Sequence, residues 1–177
     1  MTCFFDPQPM LKGERIVVRP LTHEDYLALF RAASDPEIWR QHPDTERYTR
    51  HGFEQYFSDA LQSGSALTVI ESATGEVIGS SRYHGFDPDQ DSVETGWTFL
   101  ARSVWGGLYN RELKELMLSH AFRFVHTILF YIDPSNTRSQ RSVEKIGALK
   151  ELQPDRQGRV VYQLTLQQWN LKCGSER

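Results

Sequence analysis

Residues 93–110, Val93-Glu94-Thr95-Gly96-Trp97-Thr98-Phe99-Leu100-Ala101-Arg102-Ser103-Val104-Trp105-Gly106-Gly107-Leu108-Tyr109-Asn110, hold a β-type run followed by a glycine pair. Val93 to Leu100 is rich in β-branched and aromatic residues and reads as a strand. After the glycines the apolar spacing becomes helical, with Leu113, Leu116, Met117, Ala121 and Phe124 on one face. Thr127 to Ile132 is then a continuous apolar run, the pattern of a strand buried on both faces. Strand, helix and strand in this order make a βαβ crossover, so the two strands are predicted to be parallel neighbours with a right-handed connection.

Upstream, Leu67 to Glu71 and Glu76 to Tyr83 flank the hairpin turn Ala73-Thr74-Gly75, and Asp87-Pro88-Asp89 leads into the strand from Val93. These three strands form an antiparallel meander. Before it, Phe53, Tyr56, Phe57, Ala60 and Leu61 mark an amphipathic helix closed by Gly64. Thr22 and Asp25 open an earlier helix carrying Tyr26, Leu27, Leu29, Phe30 and Ala33, and Ser34-Asp35-Pro36 starts a short helical segment through Trp39. Glu14 to Leu21 reads as a strand, suited to an edge or terminal position because Pro20 cannot donate to a ladder. Downstream, Asn136 caps a helix over Thr137 to Ile146 ended by Gly147, and strands near Ala148 to Leu152 and Arg159 to Leu166 close the chain. The fold class is α+β, in one domain over residues 11–170, with 1–10 and 171–177 as terminal extensions.

The chain has 177 residues, 39% hydrophobic, and a net charge of −3, which describes a single soluble domain with a sizeable core. A mildly acidic balance with no block of Lys and Arg argues against nucleic acid as a partner. No apolar run approaches the length of a bilayer span, and the N-terminus lacks an export pattern. Cys3 and Cys173 give neither a metal spacing nor a disulfide framework, so no metal and a reducing, cytoplasmic setting are expected. The oligomeric state, a homodimer among the options, stays open.

Two segments suggest chemistry. Gly106-Gly107 lets the backbone approach a ligand, and the free N–H groups of the helix that follows suit a phosphate, although a glycine turn is also ordinary connection chemistry. Asn136 follows the C-terminal end of a parallel strand, where open sheets gather ligands; it is equally a helix cap.

Together with Leu11-Lys12-Gly13-Glu14-Arg15-Ile16-Val17-Val18-Arg19-Pro20, Glu94-Thr95-Gly96-Trp97, Glu112, Ser139 and Glu144-Lys145-Ile146-Gly147, these segments make the chain resemble the GNAT superfamily of acyl-CoA-dependent N-acyltransferases. Within it the chain is similar to the Rim-type branch, named for ribosomal-protein N-terminal acetyltransferases. The resemblance implies a mixed, mostly antiparallel sheet whose two central parallel strands splay apart, with acetyl-CoA in the gap as co-substrate. It implies that the strand ending at Phe99 and Leu100 pairs its backbone with the pantetheine arm. It places the pyrophosphate on the N–H groups of Gly106, Gly107, Leu108, Tyr109 and Asn110, and puts Asn136 and Ser139 beside the pantetheine and the departing thiolate. Two positions depart from the family pattern. Its Q/R-x-x-G-x-G loop reads Ser103-Val104-Trp105-Gly106-Gly107-Leu108 here, and Val143 stands where many members carry a tyrosine acid.

N-acylation needs a base for the ammonium proton and an acid for the thiolate. Strict alternation puts Val93, Thr95, Trp97 and Phe99 on one face and Glu94, Gly96 and Thr98 on the other, so Glu94 is the first candidate base; a solvated or ion-paired glutamate is the other reading. His84 is a second base candidate or a solvent-facing residue, and Ser139 is the candidate acid or a cap hydroxyl. His120, inside the long helix, reads as structural. Trp39, His42, Tyr48 and Tyr83 are expected to line the pocket for a small-molecule amine or a peptide α-amine, core or rim being the other reading of the aromatics. Asp35, Glu37 and Asp44 either attract that amine or form a solvated face. The expected activity is acetyl transfer from acetyl-CoA to a primary amine, with a non-catalytic acyl-CoA-binding or regulatory module as the alternative.

Overall fold

In the computed structural model, which describes residues 4–175 and the side chains through Lys172, the strands order themselves as β1-β2-β3-β4-β5-β6-β8-β7 in one sheet. They are β1 (Leu11–Lys12), β2 (Ile16–Pro20), β3 (Ala66–Glu71), β4 (Val77–Asp87), β5 (Ser92–Leu100), β6 (Thr127–Ile132), β7 (Leu149–Lys150) and β8 (Val160–Thr165). The helices are α1 (Tyr26–Ala33), α2 (Arg50–Gln62), α3 (Tyr109–Ala121), α4 (Thr137–Glu144) and α5 (Leu166–Ser175). Every neighbouring pair is antiparallel except β5 and β6, the ends of the βαβ crossover. The cysteine expectation falls on Cys3 and the side chain of Cys173, outside the described residues.

Two apolar clusters hold the sheet between helices. Val93, Ile128, Phe130, Leu164 and Tyr162 pack with Leu113 and Met117 of α3, Val143 of α4 and Trp169 of α5. On the other face Phe53, Tyr56 and Phe57 of α2 pack with Leu29 and Ala33 of α1, with Trp39 and with Phe99. Each fully buried aliphatic or aromatic side chain contributes about 1.5–3 kcal/mol relative to exposure. Phe5, from the segment set apart as an extension, stacks on Phe86 and meets Tyr83, His120 and Phe124 edge-on or tilted.

Four expectations change. β2 is not the edge strand: β1 pairs with its Val17 and Val18, leaving only the Pro20 end unpaired on that side, as a proline requires. β6 is buried on one face only; Ile128, Phe130 and Ile132 are covered, while Leu129 and Tyr131 are half-buried and face a cleft. The chain after Thr165 is helical, with Trp169 buried, because α5 packs across the β8 side of the first cluster. Strict alternation along β5 fails most consequentially. Ser80 pairs with Phe99 and Arg82 with Gly96, so between these pairs one residue of β4, Ser81, stands against two of β5, Trp97 and Thr98. The extra residue is Trp97, held at φ 51, a β-bulge with a side chain in the left-handed region. Val93 and Leu100 therefore join one cluster and Phe99 the opposite one, while Trp97 turns to the α1–α2 face.

Candidate active site

β5 and β6 pair only over Ser92–Glu94 and Thr127–Leu129. Beyond Glu94 no strand among the described residues joins β5 on its β6 side. The gap opens after Glu94, and the bulge at Trp97 bends β5 a few residues further along it.

On the α1–α2 side, a cleft of about 360 Å³ lies over the parting point, lined by Gly85, Glu94, Leu129, Tyr131, Asp155 and Arg159. The Glu94 carboxyl is half-buried and makes no hydrogen bond or ion pair among the described residues. Burial pushes it up to about 7, with Asp155 adding to the rise and Arg159 and Arg82 opposing it. Arg159 cannot close on Glu94 because Asp155 holds its Nε at 2.7 Å, and its guanidinium stacks on Tyr131 at 4.6 Å. A carboxylate poised near neutrality can take a proton from an ammonium, which is what a base for amine chemistry must do. His84 stands across the ladder from Glu94, exposed, its ring edge-on to Trp97 at 5.4 Å.

On the other side of the gap lie the glycine turn and α3. Gly106 takes φ +73 and Leu108 keeps φ −84, so the departure from the family's last glycine is absorbed by Gly106, two residues earlier. The turn around Gly107 has room: a Cβ built there meets nothing nearer than 3.6 Å. No side chain caps α3, and no hydrogen bond of the described residues reaches the N–H groups of Gly107, Leu108, Tyr109 or Asn110. Four free donors at the positive end of a 13-residue helix suit a diphosphate. The side chains at these positions have other work. Tyr109 donates to Glu71, and Asn110 donates to Ser142 at 3.0 Å, tying α3 to α4. Phe99 and Leu100 are buried in opposite clusters, which leaves only their backbone edge for a ligand.

α4 enters the gap from the end of β6. Asn136 is its cap, 8% exposed, its Oδ1 accepting from the Ser139 N–H at 3.0 Å. The Ser139 hydroxyl, half-buried, makes no hydrogen bond among the described residues. Val143 is core. Arg138 stacks on Trp105 at 4.4 Å and donates to the carbonyls of Glu37 and Ile38, which pins the segment before α2 over this mouth.

The expected pocket wall is corrected at two positions. Tyr83 is 1% exposed and its hydroxyl donates to the Met117 carbonyl, because it lies on the α3 face of β4, away from the cleft. Trp39 is 3% exposed, its indole donating to the Ala33 carbonyl. His42 is half-buried, edge-on to Trp39; burial and the facing Arg47 press its pKa down to about 4, so it is neutral at pH 7 and its Nε2 accepts from Arg47. The acids of this segment are held by arginines, Asp35 by Arg102, Glu37 by Arg40 and Asp44 by Arg47. His120 is structural, contacting the Asp6 carbonyl at 2.8 Å. Sequence reasoning missed Tyr131 and Arg159 in the cleft, and Arg82 and Trp97 beside it. Alternation within Thr127–Ile132 would have found Tyr131; nothing local announces the others.

A family model described as an acetyltransferase (GNAT) domain matches residues 15–149. A candidate acetyltransferase from T. thermophilus is 25% identical, with TM-score 0.75 over 99% of this chain and 97% of that one. A GCN5-related N-acetyltransferase from Brucella melitensis is 19% identical, with TM-score 0.82 over 95% and 83%. Mycobacterium smegmatis RimJ, solved with CoA-disulfide, is 19% identical, with TM-score 0.67 over 96% of both chains. The last two likenesses are likenesses of fold.

Proposed function

We propose that this chain, which belongs to the GNAT acetyltransferase family, moves an acetyl group from acetyl-CoA to a primary amine, by direct attack and with Glu94 as the base. The observation that carries the reading is the Glu94 carboxyl: without a partner, raised to about 7, at the point where β5 and β6 part.

The residues on the far side of the gap fit coenzyme A. The free N–H groups from Gly107 to Asn110 would hold its pyrophosphate, and the unpaired edge of β5 would hold its pantetheine arm. When bound, the coenzyme supplies an acetyl thioester. Glu94 takes the proton of the incoming ammonium, directly or through one water. The bulged backbone of β5 offers the N–H that would polarise the acetyl oxygen in the manner of an oxyanion hole. Ser139 is the hydroxyl available to the leaving sulfur, since Val143 removes the tyrosine other members use there. Tyr131 lies close enough to Glu94 to be influenced by its charge and is the alternative donor. A small metabolite amine or a peptide α-amine in a reducing, cytoplasmic setting completes the reading. The naming of RimJ among the similar folds supports the peptide class only by shape.

The test is acetyl-CoA-dependent thiol release across a panel of amines, with calorimetric titration of acetyl-CoA alongside. Glu94→Gln is expected to lower kcat/KM roughly 10²–10⁴-fold while acetyl-CoA binds unchanged, and the residual profile to lose its rise near pH 7. In Gly107→Glu the carboxylate enters the proposed phosphate site, and acetyl-CoA binding is expected to vanish. Tight acetyl-CoA binding with no turnover on any amine would favour the acyl-CoA-binding module instead.

A further inference from the structure

Among the described residues Arg82 is in no ion pair, although the charges of Asp59 and Glu94 reach it. It lies on β4 opposite Gly96, is 6% exposed, and its guanidinium rests on the Trp97 ring at 4.8 Å. Its Nε is the one buried side-chain nitrogen or oxygen among the described residues with no hydrogen-bond partner. The two terminal nitrogens make no hydrogen bond either, and they are not sealed off. Other arginines of this chain are answered: Arg19 by Asp25, Arg47 by Asp44, Arg159 by Asp155. A guanidinium cannot shed its proton, so burial leaves it charged and seeking an acceptor. The indole face offsets part of the lost hydration but accepts no hydrogen bond in the plane of the fork. Nearby Arg47 adds charge of the same sign, and Asp59 on α2 is exposed and accepts from Gln55.

Position gives the empty fork its meaning. The pairs Arg82–Gly96 and His84–Glu94 are neighbouring rungs on one face of the β4–β5 ladder. Arg82 and Glu94 are therefore diagonal neighbours, and the residue facing Arg82, next after Glu94 on the same face of β5, is a glycine. A Cβ built on Gly96 would meet only Glu94 Oε1, at 3.9 Å, so the floor between the two charged groups is open. Diagonal positions of this kind sit roughly 7–8 Å apart at the backbone, so both side chains serve one small site.

We propose that Arg82 is the anion-binding residue of the acceptor site, and that the acceptor is a small amino acid-like molecule, its amine at Glu94 and its carboxylate on the Arg82 fork across Gly96. The proposal rests on the reading of Glu94 as the base. It separates a small amino carboxylate from a peptide α-amine, whose own carboxyl carbon is an amide and brings no charge to the fork.

The experiment pairs amino acids with their primary amides and with short peptides, on wild type, Arg82→Gln and Arg82→Lys. Turnover is read by thiol release, and binding by tryptophan fluorescence with coenzyme A at saturation. Wild type is expected to prefer one or more amino acids over the matching amide by at least roughly thirtyfold in kcat/KM, mostly through KM. In Arg82→Gln that preference should collapse through a rise in KM for the amino acids that far exceeds any change with the amides, and Arg82→Lys should restore part of it. The ligand-free Arg82→Gln protein should melt no lower than wild type, since the substitution removes an uncompensated buried charge. Equal use of acid and amide by wild type, a preference that survives Arg82→Gln, or a lower melting temperature with amide turnover equally lost would overturn the proposal. The last result would make the arginine a structural stack on Trp97. If no amine is acetylated but amino acids bind in an Arg82-dependent way, the base assignment falls and the anion site stands; if none binds, the anion site falls.

Discussion

Asp25, in the helical turn packed against β2 and β3, and Glu94, on β5, are carboxylates with opposite outcomes. Asp25 is 5% exposed, and its oxygens accept from both terminal nitrogens of Arg19, from the Thr22 N–H and from the Thr68 hydroxyl. Burial alone would raise its pKa; the Arg19 fork, the Thr22 N–H and Thr68 together hold it below the ordinary value. Glu94 has burial without donors and rises to about 7. Their arginines differ in the same way, Arg19 in a two-pronged pair and Arg82 with none. A network that the chain completes by itself serves the fold, and one left open on both charges needs something from outside. The difference is one of completion, since burial raises both carboxyls and only Asp25 has donors to answer it.

The comparison breaks most easily at the closed network. Asp25→Ala leaves Arg19 without its partner and strips the cap of the turn before α1, so a loss of about 3–5 kcal/mol in unfolding free energy is expected. Chemical denaturation measures it directly, and a loss below about 1 kcal/mol would mean that the network is as incomplete as the one at Glu94.

The two carboxyls also carry opposite signs in pH. Folding lowers the Asp25 pKa, so its contribution is present above the unfolded value of 3.8 and is lost as pH falls through the folded one. Folding raises the Glu94 pKa, so its contribution is full below the unfolded value of 4.5 and is lost as pH climbs through about 7. Glu94→Gln should therefore match wild type near pH 4 and exceed it at pH 8. At about 1.4 kcal/mol per unit, discounted for partial exposure, the excess is on the order of 2 kcal/mol. Denaturation of both proteins across pH 4–8 checks the sign; a variant less stable than wild type at pH 8 would place a hidden donor at Glu94.

Much of this was legible because periodicity and turn chemistry are local. Gly75 and Gly147 at positive φ, the Thr22–Asp25 box and the βαβ order all follow from short-range rules. The bulge did not, since nothing in Thr95-Gly96-Trp97 says that one residue will be left out of the ladder; the partner strand and the α2 face decide it. That single residue moved Trp97 and Phe99 to the other side of the sheet and with them the wall of the cleft. Arg159 and Arg82 escaped for a related reason. Whether an arginine is paired is set by contacts across the sheet, and sequence spacing is blind to them.

The smallest expected effect concerns the acid. A thiol has a pKa near 8.5, so at pH 7–8 its thiolate is a tolerable leaving group and needs little protonation as it departs. The amine, by contrast, is almost wholly ammonium and cannot attack until its proton is gone. The base thus carries more of the barrier than the acid, whichever hydroxyl serves. Ser139→Ala should lower kcat by roughly tenfold, about 1.4 kcal/mol, and leave the pH rise that belongs to Glu94 in place. Tyr131→Phe separates the two donors. If it costs more than Ser139→Ala while the melting temperature holds, the proton comes from β6, inside the same open cleft as the base, and the α4 hydroxyl only lines the thiol's path.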